Sequence, residues 1–86
     1  MFTENVPLVR FRAELERIES PSVYAVSMPG GWCIRLNDAV GLDLKGFFVL
    51  SLARSTDVRV FRSLDSVHSF LSGLGVHRFV VKSEAS

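Results

Sequence analysis

The chain has 86 residues, a formal net charge of +1 and a single cysteine. This length allows one domain with a modest core, and the near-neutral charge excludes a global attraction to nucleic acid or to membranes. A lone cysteine excludes an internal disulfide and favours a cytoplasmic protein. The 48% hydrophobic content is high for so short a monomer, and this excess of apolar residues predicts a homodimer.

The first predicted element is a helix from about Val6 to Glu19. Asn5 is its expected N-cap, and Pro7 is acceptable because N–H groups in a first helical turn have no partners. Apolar residues recur at spacings of three and four and define one face. These residues are Leu8, Phe11, Leu15 and Ile18. Charged residues in this segment also argue against a secretory signal, and no apolar run is long enough to span a membrane.

An antiparallel hairpin is predicted next. Val23–Met28 alternates as a half-buried strand, and the Pro29-Gly30-Gly31 turn leads into a second strand from Trp32 to Leu36. Residues 37–46 are the least regular segment, and a loop, a single helical turn or an irregular edge all remain open for them.

A second hairpin is predicted from Phe47–Ala53 and Val58–Phe61, with a polar turn at residues 54–57. Phe47 and Val49 alternate with Phe48 and Leu50, so both sides of the first of these strands are apolar. This pattern predicts either burial on both sides or exposure at an interface.

The strongest local signal is a capped second helix. Ser63 is the predicted N-cap, Asp65 lies in the first turn, and Gly75 is the predicted stop. The apolar stripe consists of Leu64, Val67, Phe70, Leu71 and Leu74. A last strand is predicted over Val76–Lys82.

The predicted fold is therefore a single α+β domain over residues 1–86 with the order α-β-β-β-β-α-β. We expect a mostly antiparallel sheet with two helices on one face. Residues 83–86 are expected to be a frayed tail.

The sequence contains no catalytic or metal-binding motif, and we expect no cofactor and no metal. His68 has no Cys, Asp or Glu at ligand spacing, and His77 lies beside Arg78, which would repel a metal cation. Cys33 and Arg35 share a predicted strand face, where a guanidinium lowers a thiol pKa. These two residues are the only candidates for a small-ligand carrier or an enzyme.

Basic residues outnumber acidic ones in the second half of the chain, by five to three over residues 46–86. These five basic residues are predicted to lie on the open face of the sheet near Phe47 and Phe61, and they are Arg54, Arg59, Arg62, Arg78 and Lys82. Arginines interleaved with aromatic rings are suited to phosphate contact and base stacking, which gives a nucleic-acid-binding alternative. An ordinary solvated face, with Asp57, Asp65 and Glu84 as counter-ions, or a contact to an acidic protein partner also remain open.

The leading interpretation is a non-enzymatic binding or adaptor module, homodimeric and regulatory or accessory in role, of a type typical of bacteria. The expected interface residues are Trp32, Phe47, Val49 and Phe61. The alternatives are nucleic-acid binding through the arginines and small-ligand chemistry at Cys33.

Overall fold

The strands of the sheet come from both ends and from the middle of the chain. The computed structural model describes residues 1–83, so the predicted tail lies, apart from residue 83, outside the described residues. The elements are β1 (Phe2–Val6), α1 (Leu8–Arg17), β2 (Ser22–Met28), β3 (Gly31–Val40), β4 (Asp43–Leu50), α2 (Leu64–Gly73) and β5 (Val80–Lys82). The five strands form one sheet in the order β1-β4-β3-β2-β5.

The sheet is mixed. The central strands β2, β3 and β4 form an antiparallel meander, whereas β1 pairs with β4 and β5 pairs with β2 in parallel. The α+β class is confirmed. The prediction of a mostly antiparallel sheet is confirmed only in part, because two of its four strand pairs are parallel.

The N-terminal strand β1 was not predicted, and the element order therefore begins with β rather than α. Asn5 and Val6 belong to β1 and do not begin a helix. Pro7 has extended backbone at the N-cap position, with φ −71° and ψ 169°, so α1 starts only at Leu8. The strand forms because Phe2 and Val6 pack on the sheet core while the backbone pairs with β4.

The first predicted hairpin is confirmed, whereas the segment predicted to be irregular is a second hairpin. β3 continues to Val40, and a two-residue turn at Gly41-Leu42 leads into β4 at Asp43. Gly41 has a φ of +62°, which glycine adopts without a steric penalty. The chain leaves β4 at Leu50, three residues before the predicted strand end.

Residues 58–61 do not form the predicted strand. They make two isolated bridges, one between Ser51 and Val58 and one between Trp32 and Phe61. The Phe61 side chain is 7% exposed and belongs to the core. The predicted last strand is also shorter, because only Val80–Lys82 pairs with β2.

The capped helix α2 is confirmed. Ser63 Oγ accepts a hydrogen bond from Ser66 N at 3.2 Å. At the other end Gly75 has a φ of +82°, and the N–H groups of Gly75 and Val76 donate to the carbonyls of Ser72 and Leu71. These two bonds form a Schellman motif.

Both helices pack on the same face of the sheet, hereafter the helix face. The apolar stripes predicted for the two helices supply Phe11 from α1, Ile18 from the position directly after α1, and Val67 and Leu71 from α2. They meet strand residues in a single core. The strand residues of this core are Val6, Val23, Ala25, Ile34, Leu36, Phe48 and Leu50. Neither helix in the described part of the chain is long and apolar enough to cross a membrane.

Candidate binding surface

The second side of the sheet, hereafter the open face, is covered by neither helix. Strand side chains alternate between the two sides of a sheet, and the register aligns those that point away from the core. The open face consists of Thr3, Asn5, Tyr24, Val26, Cys33, Arg35, Asn37, Phe47, Val49, Val80 and Lys82. At one end the chain after β4 borders this face, where Asn5 Nδ2 donates to Thr56 O at 2.7 Å.

Arg35 lies at the centre of the open face between two aromatic rings. Its guanidinium carbon is 4.8 Å from the Tyr24 ring centroid and 4.3 Å from that of Phe47. A planar guanidinium stacks well on such rings. Within residues 1–83, Arg35 Nε is buried without an acceptor and Asn37 Oδ1 is buried without a donor. A buried polar atom left unsatisfied costs about 1–3 kcal/mol.

The carboxylates of the strands lie mostly on the other side of the sheet. Glu4 in β1 pairs with Arg10 at 3.3 Å, and Asp38 in β3 pairs with Arg17 at 3.0 Å. Both arginines belong to α1. None of the side chains that make up the open face is a carboxylate, while Arg35 and Lys82 are cationic.

Glu14 is a buried carboxylate held by two arginines of its own helix. Arg17 Nε and Arg10 Nη2 both contact it, the latter at 3.1 Å. The hydrogen bond from Arg17 lowers the Glu14 pKa, burial opposes this, and Arg10 lowers the pKa further. Because the folded-state pKa lies below that of an unfolded glutamate, about 4.3, the ionised Glu14 stabilises the fold at pH values above about 4.3. This stabilisation is lost as the pH falls through the folded-state pKa.

We expect Glu14→Gln to flatten the acid dependence of stability. The wild-type protein should lose stability between about pH 5 and pH 3 as Glu14 takes up a proton, and the variant should lose less. Urea denaturation at a series of pH values measures this. Glu16→Gln, on the exposed side of the same helix, is the control. Equal acid sensitivity of the wild-type protein and Glu14→Gln would contradict the role assigned to Glu14.

The five basic residues predicted to form one patch lie in different places. Arg59 stacks on Phe61 and Phe70, with its guanidinium carbon 4.9 and 4.8 Å from the two ring centroids. Arg59 and Arg62 both line a shallow cavity beside α2. Arg54 is exposed in the segment after β4, and Arg78 precedes β5. Only Lys82 is among the open-face residues, so the structure does not bring the five residues together on that face.

The four predicted interface residues divide between the two faces. Phe47 and Val49 belong to the open face. Trp32 packs against the core on the helix face, and Phe61 is part of the core itself. Tyr24 and Asn37 were not predicted as surface residues of interest. Their alternation with Val23 and Leu36 is the signal that places them on the open face.

Cys33 lies on the open face opposite Val26 and is partly buried. Burial raises the pKa of its thiol, and the charge of Arg35 offsets this only in part. A raised pKa disfavours the nucleophilic thiolate. His68 and His77 are exposed, and residues 1–83 contain no group of three His, Cys, Asp or Glu side chains able to hold a metal ion.

The architecture is that of a small α+β domain with a five-stranded mixed sheet and two helices on one face. No family model, no curated protein and no solved structure matches this chain.

Proposed function

We propose that this protein is a non-enzymatic binding module that acts as a homodimer, in which the open faces of two copies pack against each other. The observation that carries the proposal is the cluster of Tyr24, Arg35 and Phe47 at the centre of that face. Aromatic residues and arginine are enriched in protein interfaces, and acidic residues are depleted. The open face has this composition.

Polar groups on the open face also favour a second copy as the occupant. Within residues 1–83, Arg35 Nε lacks an acceptor and Asn37 Oδ1 lacks a donor, and both residues lie on β3. A two-fold axis brings residue i of one copy to residue j of the other and the reverse. Small side-chain rotations in a dimer would let each copy supply the group that the other needs.

The distribution of apolar residues supports the same proposal. The helix face already has a complete core built from both helices and the strands. Val26 and Phe47 are apolar strand residues of the open face that stay half-buried and gain nothing from the helices. Packing against a second copy would remove their apolar area from water.

Phe47→Asp is expected to convert the dimer to a monomer, because it removes the ring that stacks on Arg35 and replaces apolar contact area at the centre of the proposed interface by a carboxylate. Light scattering coupled to gel filtration should give twice the 9.6 kDa chain mass for the wild-type protein and 9.6 kDa for the variant. Val9→Asp is the matched control, since Val9 is exposed on α1, away from the sheet. This control should remain dimeric.

A wild-type protein that is monomeric throughout a dilution series would overturn the dimer. The same samples are run with mixed-sequence duplex DNA and with oligothymidylate at low and high salt. A salt-sensitive increase in mass with either nucleic acid would favour the nucleic-acid alternative. We favour the dimer over this alternative, because the five basic residues lie in different places and do not form one surface, whereas the aromatic and arginine side chains of the open face do.

A further inference from the structure

The strand β5 forms an edge of the sheet. Within residues 1–83 it pairs only with β2, through Val80, Val81 and Lys82. Val80 is 54% exposed and Val81 48% exposed. An edge strand presents backbone N–H and C=O groups that an added strand can pair with, and natural proteins protect such edges with charged residues.

Among the described residues, the charged side chains next to or within β5 are Arg78 and Lys82, and both are cationic. Arg78 precedes the strand and Lys82 ends it, and both are exposed together with His77. A groove at the start of β5 is lined by Arg78, Phe79 and Val80 and, across from them, by residues 21–23. None of the residues that line this groove is acidic.

In one register these charges disfavour pairing of β5 with a second copy of itself. In an antiparallel pair with Val80 opposite its own copy, Arg78 would lie opposite Lys82, and like charges directly opposite each other are destabilising. An acidic strand meets no such repulsion, and a carboxylate accepts two hydrogen bonds from an arginine.

We propose that β5 is a docking edge for an extended, acidic segment of a partner protein, which adds to the sheet as a sixth strand. Main-chain hydrogen bonds to β5 would hold the segment, and Arg78 and Lys82 would pair with its Asp or Glu side chains. The backbone groups of this site lie at the sheet edge, whereas the side chains of Val80 and Lys82 also belong to the open face, so the dimer is measured separately in the same variants.

The test is a selection of peptides from a random dodecapeptide phage library on the immobilised protein, followed by fluorescence anisotropy with labelled synthetic peptides. We expect selected peptides to be rich in Asp and Glu alternating with β-branched residues. The double variant Arg78→Glu with Lys82→Glu should weaken their binding by roughly tenfold or more, because it reverses both charges at the edge.

The control is Arg12→Glu with Arg54→Glu, which makes the same change of net charge at exposed positions outside β5 and should leave binding unchanged. Circular dichroism shows whether both double variants are folded. Absence of acidic enrichment, or binding that survives the Arg78 and Lys82 changes, would overturn the proposal. Equally tight binding of labelled oligothymidylate with the same dependence on these residues would also overturn it, in favour of nucleic acid. Light scattering on the same variants reports the dimer separately.

Discussion

Replacing Gly31 by alanine is expected to cost about 3 kcal/mol or more of the free energy of unfolding, a large part of what a domain of this size has. A Cβ at this position would overlap Phe61 O and lie 2.9 Å from the Phe61 carbonyl carbon. Gly31 also has a φ of +149°, which side-chain-bearing residues rarely adopt.

Backbone hydrogen bonds leave the neighbouring chain little room to move away from such a side chain. Trp32 N donates to Phe61 O, and Phe61 N donates to Trp32 O, each at 2.8 Å. Relief of the clash would break this bridge and shift Phe61 in the core. The cost therefore combines backbone strain with lost packing.

Gly73→Ala is the matched control. Gly73 lies at the end of α2, and a Cβ added there would meet nothing within 4 Å apart from its own helix. Alanine there should raise stability by up to about 1 kcal/mol, because glycine is a poor helix former. Urea denaturation followed by circular dichroism measures both variants. A Gly31→Ala protein as stable as the wild type would contradict the close approach of residues 31 and 61.

Phe11→Ala is expected to destabilise the protein by about 3–5 kcal/mol, because it leaves a cavity in the core. Phe11 is 0% exposed and packs where α1 meets the sheet. The loss should be the same at every protein concentration, since it does not depend on a second copy.

Phe47→Ala is the informative comparison, because it removes the same side chain from the open face. At high dilution we expect Phe47→Ala to lose less free energy of unfolding than Phe11→Ala. The loss for Phe47→Ala should then grow with protein concentration, because association stabilises the folded wild-type protein as a dimer. Denaturation at several protein concentrations separates the two effects. Equal, concentration-independent losses for both variants would contradict the assignment of the two faces.

Elements with strong local signals were predictable from the sequence. The cap at Ser63, the stop at Gly75 and the apolar stripe between them lie within one short segment, so α2 needed no knowledge of distant residues. The hairpin turn at residues 29–31 was predictable for the same reason. In each case neighbouring residues carry the physical cause.

The edge strands show why the rest was not predictable. β1 is a strand because β4 pairs with it, and the Asn5-Val6-Pro7 sequence by itself is equally compatible with a helix start. The β-branched run at residues 58–61 has strand propensity, but the chain there crosses Gly31 and makes only isolated bridges. Propensity gives way to tertiary context in such segments.

The prediction of which residues lie on the open face required the strands themselves to be predicted correctly. Arg59 and Phe61 were placed on the open face by counting alternation along a strand that does not form. Phe47 and Val49 lie in a real strand, and their alternation with Phe48 and Leu50 puts them on the open face. Arg35 was recognised only as a neighbour of Cys33, because its two aromatic partners come from other strands.

The parallel pairing of β1 with β4 also bears on the order in which the molecule assembles. Phe2 pairs with Gly46 and Val6 with Leu50, so β1 has no partner until synthesis of the chain has passed the end of β4. The strands of the central meander, by contrast, are joined by short turns, whose closure costs little conformational entropy. Until the meander has formed, β1 has no strand to pair with. Incompletely folded chains with unpaired strands are prone to aggregation, which chaperones counteract.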